Sequence, residues 1–150
     1  MKRLLFIGNF SCEEKNLIKN SFSDKGHEVY TITKQTGNDT SIKHEIVEKY
    51  CHDNNIDWVI GASDVGEEMI LSRGIKKILI NPTFDSTHET VEQLSAFDID
   101  HTFGFFDKRH EQEYEEYHRY GYREASYTFN RACNFSNWIG LILLIISTMC

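Results

Sequence analysis

The chain has 150 residues, a formal net charge of −7, 40% apolar or aromatic residues and a lone proline. This length and apolar content fit one domain, 1–150, with a real core. The acidic balance excludes a protein that tracks phosphates over a broad basic face, so nucleic acid is not an expected partner.

In chain order, RLLFIG (3–8) is an apolar run of the buried-strand type, and CEEKNLIKNSFSDKG (12–26) follows with Leu17, Ile18 and Phe22 at helical spacing. HEVYTIT (27–33) predicts a second strand, GNDTS a loop, and SIKHEIVEKYCHDN (41–54) a helix with Ile42, Ile46, Val47 and Tyr50 on one side. DWVIGA (57–62) is a third strand, DVGEEMILSR (64–73) its helix, and KKILIN (76–81) a fourth strand. A helix over 87–95, a strand over 101–106 and a charged helix over 111–122 continue the alternation. Such βα alternation predicts an α/β three-layer sandwich, a mainly parallel sheet of at least five strands with helices on both faces.

The apolar run LLFI after Lys2 and Arg3 is too short for a secretory leader. Residues 138–150, WIGLILLIISTMC, fall well below the ~20 apolar residues of a spanning helix, so no membrane partner is expected. Cys12, Cys51, Cys133 and Cys150 form no CxxC pair, which reads as reduced thiols of a cytoplasmic protein.

In parallel sheets, functional groups gather beyond the carboxyl ends of the strands. Those positions are GNFSC, GASDVG, NPTFD and DKRHE. Ser63, between a strand and a helix, has two readings: an exposed nucleophile, or a helix N-cap that accepts from first-turn amides. HEQEY (110–114) has Tyr114 where a second histidine ligand would stand, so no metal is expected. No GxGxxG or GxxxxGK[ST] follows a strand, so no cofactor is expected, and strand one lacks the clustered acids of a phospho-acceptor site.

The order GNFSC, GASDVG, KKILINPTF and TFGFFDKRHE resembles the small YqiA/YcfP-like esterases of the α/β-hydrolase superfamily, over about residues 3–130. The resemblance implies Ser63 as nucleophile in an elbow that keeps Gly61 and Gly66 but has Val65 where the family has glycine. It implies oxyanion amides at Phe10 and Asp64, puts His110 at the acid position with Asp107 and Glu111 as nearby substitutes, and implies a small-molecule ester as substrate. The family's Gly-Gly-His turn is missing, and Cys133 occupies the place of the histidine. The expectation is therefore a small carboxylic-ester hydrolase, working or impaired, or else a pseudoenzyme or small-ligand binding module on the same fold. If residues 131–150 are not the family's own ending, they should pack poorly and leave apolar surface exposed.

Overall fold

The computed structural model describes residues 1–8, 10–32, 43–62, 69, 72–82, 96–119, 126–129 and 135–148. Their strands form one six-stranded sheet in the order β2-β1-β3-β4-β5-β6. The strands are β1 (Arg3–Ile7), β2 (Glu28–Ile32), β3 (Trp58–Ala62), β4 (Lys77–Ile80), β5 (Thr102–Phe106) and β6 (Ser126–Phe129). Every neighbouring pair is parallel, from Arg3 beside Glu28 to Phe106 beside Phe129. The class is thus α/β with a parallel sheet, as the alternation predicts. The order is that of doubly wound sheets, in which the chain reverses direction across the sheet between β1 and β3; it does not single out the narrower α/β-hydrolase arrangement.

The central strands are apolar on both faces because both faces are covered. Leu4, Phe6, Trp58, Ile60, Ile78 and Ile80 point to one side, where they meet Ile18 and Phe22 of α1 (Cys12–Ser23). On the other side Leu5, Ile7, Val59 and Leu79 meet Val47 and Cys51 of α2 (His44–Asn54), together with Met69. Successive side chains of one strand alternate between the two clusters, the period of two that a strand imposes.

Two helix ends are fixed by local chemistry. Ser11 caps α1 through a reciprocal pair in which the Glu14 amide donates to Ser11 Oγ at 3.1 Å and the Ser11 amide donates to Glu14 Oε1 at 2.8 Å. This S-x-x-E capping box satisfies two of the orphan amides of the first turn. Asn55 closes α2 in the left-handed region at φ 52°, a conformation that asparagine adopts more readily than most residues.

The short helix α3 (Ala96–Asp100) leads into β5. A 3-10 turn over Lys108–His110 then enters α4 (Glu111–Arg119), whose Tyr114 packs edge-on against Phe106 at 5.5 Å. The final helix, α5 (Phe135–Thr148), buries Trp138, Ile139, Ile142 and Ile146 against the α1 side of the sheet, with Trp138 stacked on Phe105 at 5.0 Å. This corrects the expectation that the apolar ending packs poorly: its inner face completes the core. Among the described residues no helix is long and apolar enough to cross a membrane. The helices expected over 64–73 and 87–95 fall largely or wholly outside the described residues.

Below the sheet, at the entry to β4, Lys77 is fully buried. Its Nζ lies 3.5 Å from Asp98 Oδ1 and donates to the carbonyls of Met69 and Ser72. Asp98 Oδ1 also accepts from the Gly74 amide at 2.9 Å, and its carbonyl accepts from Thr102 Oγ1 at 2.6 Å. Burial pushes the Lys77 ammonium down to about 8, and the attraction of Asp98 recovers only part of that fall. The pair ties the approach to β4 to α3 and the start of β5. Removing one partner of a buried ion pair strands the other charge, so Asp98→Ala is expected to lower stability by about 3–5 kcal/mol in urea unfolding at neutral pH. A loss under about 1 kcal/mol would mean that Lys77 finds other compensation.

Candidate functional site

Among the described residues, the carboxyl ends of the strands show two close approaches. At the first, β1 passes β3 so tightly that a Cβ on Gly8 would stand 3.0 Å from the Ala62 carbonyl oxygen and 3.1 Å from its Cβ. Gly8 also has φ 138°, a region that side chains rarely enter, so the position requires glycine for space and for backbone. This is the crevice where the strand order reverses.

The second joins β4 to β5. Asn81 sits at φ 47°, and its amide donates to the Phe105 carbonyl at 2.7 Å. Its side-chain Nδ2 donates to Asp107 Oδ2 at 3.1 Å, and its Oδ1 accepts from the Asp107 amide at 3.0 Å. Asp107 also caps the 3-10 turn by accepting from the Arg109 amide at 3.0 Å, and Arg109 Nη2 reaches Asp107 Oδ2 at 2.8 Å. Burial pushes the Asp107 carboxyl up, but hydrogen bonds from Arg109 and Asn81 and the charge of Arg109 outweigh it and hold the group below its ordinary value. Both carboxylate oxygens are therefore occupied by the fold itself.

Each expected site residue has a definite place or none. Ser63 and Asp64 lie outside the described residues. Phe10 is half-buried and packs edge-on against Phe6 at 6.1 Å. Asp107 and His110 stand at opposite ends of one short turn, with the His110 amide donating to the Asp107 carbonyl at 3.0 Å. The His110 ring faces elsewhere: Nδ1 lies 3.7 Å from Glu113 Oε1, beyond hydrogen-bonding reach, and is buried without a partner among the described residues. Asp107 accepts from Asn81 and Arg109 rather than from an imidazole. Among the described residues no group of His, Cys, Asp and Glu side chains could hold a metal ion.

A larger concavity lies to one side. A groove of about 1250 Å³ runs between α1 and β2, lined by Phe10, Ile18 and Val29 and by the polar Lys15, Lys19 and Thr31. Among the described strands β2 stands at the edge of the sheet. The Glu28 amide donates to the Lys2 carbonyl at 2.9 Å, so Glu28, Tyr30 and Ile32 present their backbone groups to β1. By the alternation of a strand, Val29 and Thr31 present theirs outward. The acids of the groove have partners inside the protein: Glu14 in the capping box, and Glu28 with Arg3 Nε at 3.4 Å and Tyr30 Oη at 2.6 Å. Lys15 and Lys19 are exposed and have no acidic partner among the described residues. Sequence reasoning missed this groove, although Ser11-x-x-Glu14 carries a legible capping signal and Lys15 and Lys19 have the spacing of one helical turn.

No family model matches the chain, and no curated protein matches it. Among solved structures it is similar to the solution structure of a response regulator protein from Burkholderia multivorans, at 14% identity and a TM-score of 0.49, with 100% of this chain and 98% of that chain covered. These findings correct the attribution to the YqiA/YcfP-like esterases: the GASDVG and Asn81-Pro82 segments that carry the resemblance match no esterase family. The serine-hydrolase reading and the small-molecule ester partner fall with it, as does the small-ligand alternative built on the same attribution.

The Asp107 lock has a measurable pH signature. Its folded value is depressed, so its contribution to stability is fully present above the ordinary carboxyl value of 3.8 and is lost as pH falls through the lower folded value. Arg109→Met is expected to lower stability by about 1 kcal/mol at pH 7, because the guanidinium is exposed to solvent although Asp107 is buried. Urea titrations at stepped pH should show the gap from wild type closing below pH 3.8. A gap independent of pH would assign the effect of Arg109 to packing.

Proposed function

We propose that the chain is a protein-recognition domain that takes an extended, acidic segment of a partner protein along β2, in the groove beside α1. The observation that carries this reading is the edge strand itself, with the backbone groups of Val29 and Thr31 turned outward over a groove with two lysines on its far wall. An added strand would take its main-chain hydrogen bonds from such an edge and its selectivity from side-chain pockets.

The spacing supports an acidic pattern. Lys15 and Lys19 are separated by about one helical turn, ~6 Å. Alternate residues of an extended chain are about 6.6 Å apart, so two carboxylates at i and i+2 match the two ammonium groups. At about 1250 Å³ the groove is larger than the roughly 300–1,000 Å³ of a typical small-molecule pocket. Among the described residues at the strand ends, Asp107 is held by Asn81 and Arg109, and the first turn of α1 is closed by Ser11 and Glu14. The cytoplasmic setting belongs to the same reading; it rests on the free thiols of Cys12 and Cys51, the latter pushed up to about 12 by burial and so inert.

The test is a selection from an unbiased peptide-display library against the full chain, followed by fluorescence anisotropy on the enriched peptides. Peptides with acids at i and i+2 are expected, with affinity falling at least tenfold in the Lys15→Glu, Lys19→Glu double variant. Both lysines are exposed, so the variant leaves the core untouched. Enriched peptides without acids, or equal affinity for the double variant, would overturn the reading.

A further inference from the structure

We infer that the segment held along β2 carries a large apolar residue between its two acids, received on the other face of the same strand by Tyr30. This rests on the role proposed for the groove and adds to it the geometry of a strand. Val29 packs on the α1 side of the sheet, whereas Tyr30 and Ile32 pack on the α2 side. Residues that stand opposite one another on neighbouring strands share a face, and the faces alternate along each strand. Acids at i and i+2 that face Lys15 and Lys19 therefore stand beside Val29 and Thr31. Residue i+1 then stands beside Tyr30, on the face away from the lysines. The result is the same whether the segment runs with β2 or against it, because Tyr30 lies midway between Val29 and Thr31.

The α2 face at that point is apolar. The Tyr30 ring meets the Tyr50 ring edge-on at 6.5 Å, and Tyr30, Ile32 and Tyr50 are all half-buried against the α2-side core. Ile46, one helical turn before Tyr50, is 51% exposed. An aromatic or branched aliphatic side chain at i+1 packs on the Tyr30 ring, which is the cross-strand pairing that sheets favour. A short polar side chain leaves that ring uncovered. An acid at i+1 is disfavoured more strongly, because Glu28 shares the face of Tyr30 two residues away. The Glu28 carboxylate is held there by the Tyr30 hydroxyl, which donates to Oε2 at 2.6 Å, and by Arg3 Nε at 3.4 Å. A carboxylate at i+1 would stand diagonal to it, and like charges that close repel. The two faces of β2 thus select opposite chemistry, charge on the α1 side and apolar surface on the α2 side.

Fluorescence anisotropy on the full chain tests this with three synthetic peptides that carry Glu-Ile-Glu, Glu-Ser-Glu or Glu-Asp-Glu in an otherwise identical threonine-rich background. The Ile peptide is expected to bind about fivefold or more tightly than the Ser peptide, and the Asp peptide more weakly than the Ser peptide despite its extra charge. Tyr30→Thr keeps a strand-forming residue while removing the ring, and should bring the Ile and Ser peptides within about twofold of each other. The Lys15→Glu, Lys19→Glu double variant should weaken all three together and leave the ratio of Ile to Ser in place. Equal affinity of the Ile and Ser peptides for the wild-type protein, tightest binding by the Asp peptide, or a preference for Ile that survives in Tyr30→Thr would overturn the inference while leaving the groove a site for acids. Failure of all three peptides to bind the wild-type protein would instead overturn the proposed role of the groove, and the inference with it.

Discussion

The structure depends on the burial of β1, β3 and β4 on both faces. Leu4, Leu5, Phe6 and Ile7 are at most 2% exposed, and Trp58, Val59 and Ile60 are wholly buried. Strands apolar on both sides cannot stand at a sheet surface, so helices must cover both faces, and parallel pairing with helical crossovers is the arrangement that does this. The cost is visible at two indole groups. Trp58 Nε1 and Trp138 Nε1 are buried without a hydrogen-bond partner among the described residues, a penalty of about 1–3 kcal/mol each. The area the two rings bury and the stacking of Trp138 on Phe105 offset it.

The architecture was legible because its signal is local. RLLFI, WVIGA and KILI are continuous apolar runs, and the helices between them repeat with the helical period, so strand, helix and layer all follow from neighbouring residues. Pairings between distant residues were not legible. Lys77 looks like the solvated start of a strand, and only the fold brings Asp98 to it in the interior. The apolar ending also misled: no charge marks either face of α5, so the sequence could not show that Trp138 and Ile142 point into the core while Leu144 points out.

The site illustrates the same limit more sharply. Asn81 and Asp107 were noticed as parts of motifs, whereas in the fold they bond to each other across β4 and β5 and bring Arg109 with them. A serine, an aspartate and a histidine in a plausible order suggested a triad, but order along the chain carries no information about which oxygen accepts from which nitrogen. Asp107 is saturated by an amide and a guanidinium, and the His110 ring turns toward Glu113. The edge position of β2 likewise exists only once the strand order is known, although the polar Glu28 and Thr31 in EVYTI set it apart from the wholly apolar WVIGA.

The proposed role requires that the outward side of β2 be open in the isolated protein. Amide hydrogen exchange, followed residue by residue by NMR, tests this directly. The amides of Tyr30 and Ile32 face β1 and should exchange slowly, with Leu5 and Ile60 slower still. The amides of Val29 and Thr31 should exchange at least a hundredfold faster than those of Tyr30 and Ile32. Equal protection of all four β2 amides would mean that the edge is already covered by the chain's own residues, and the account of the groove as a partner site would be contradicted.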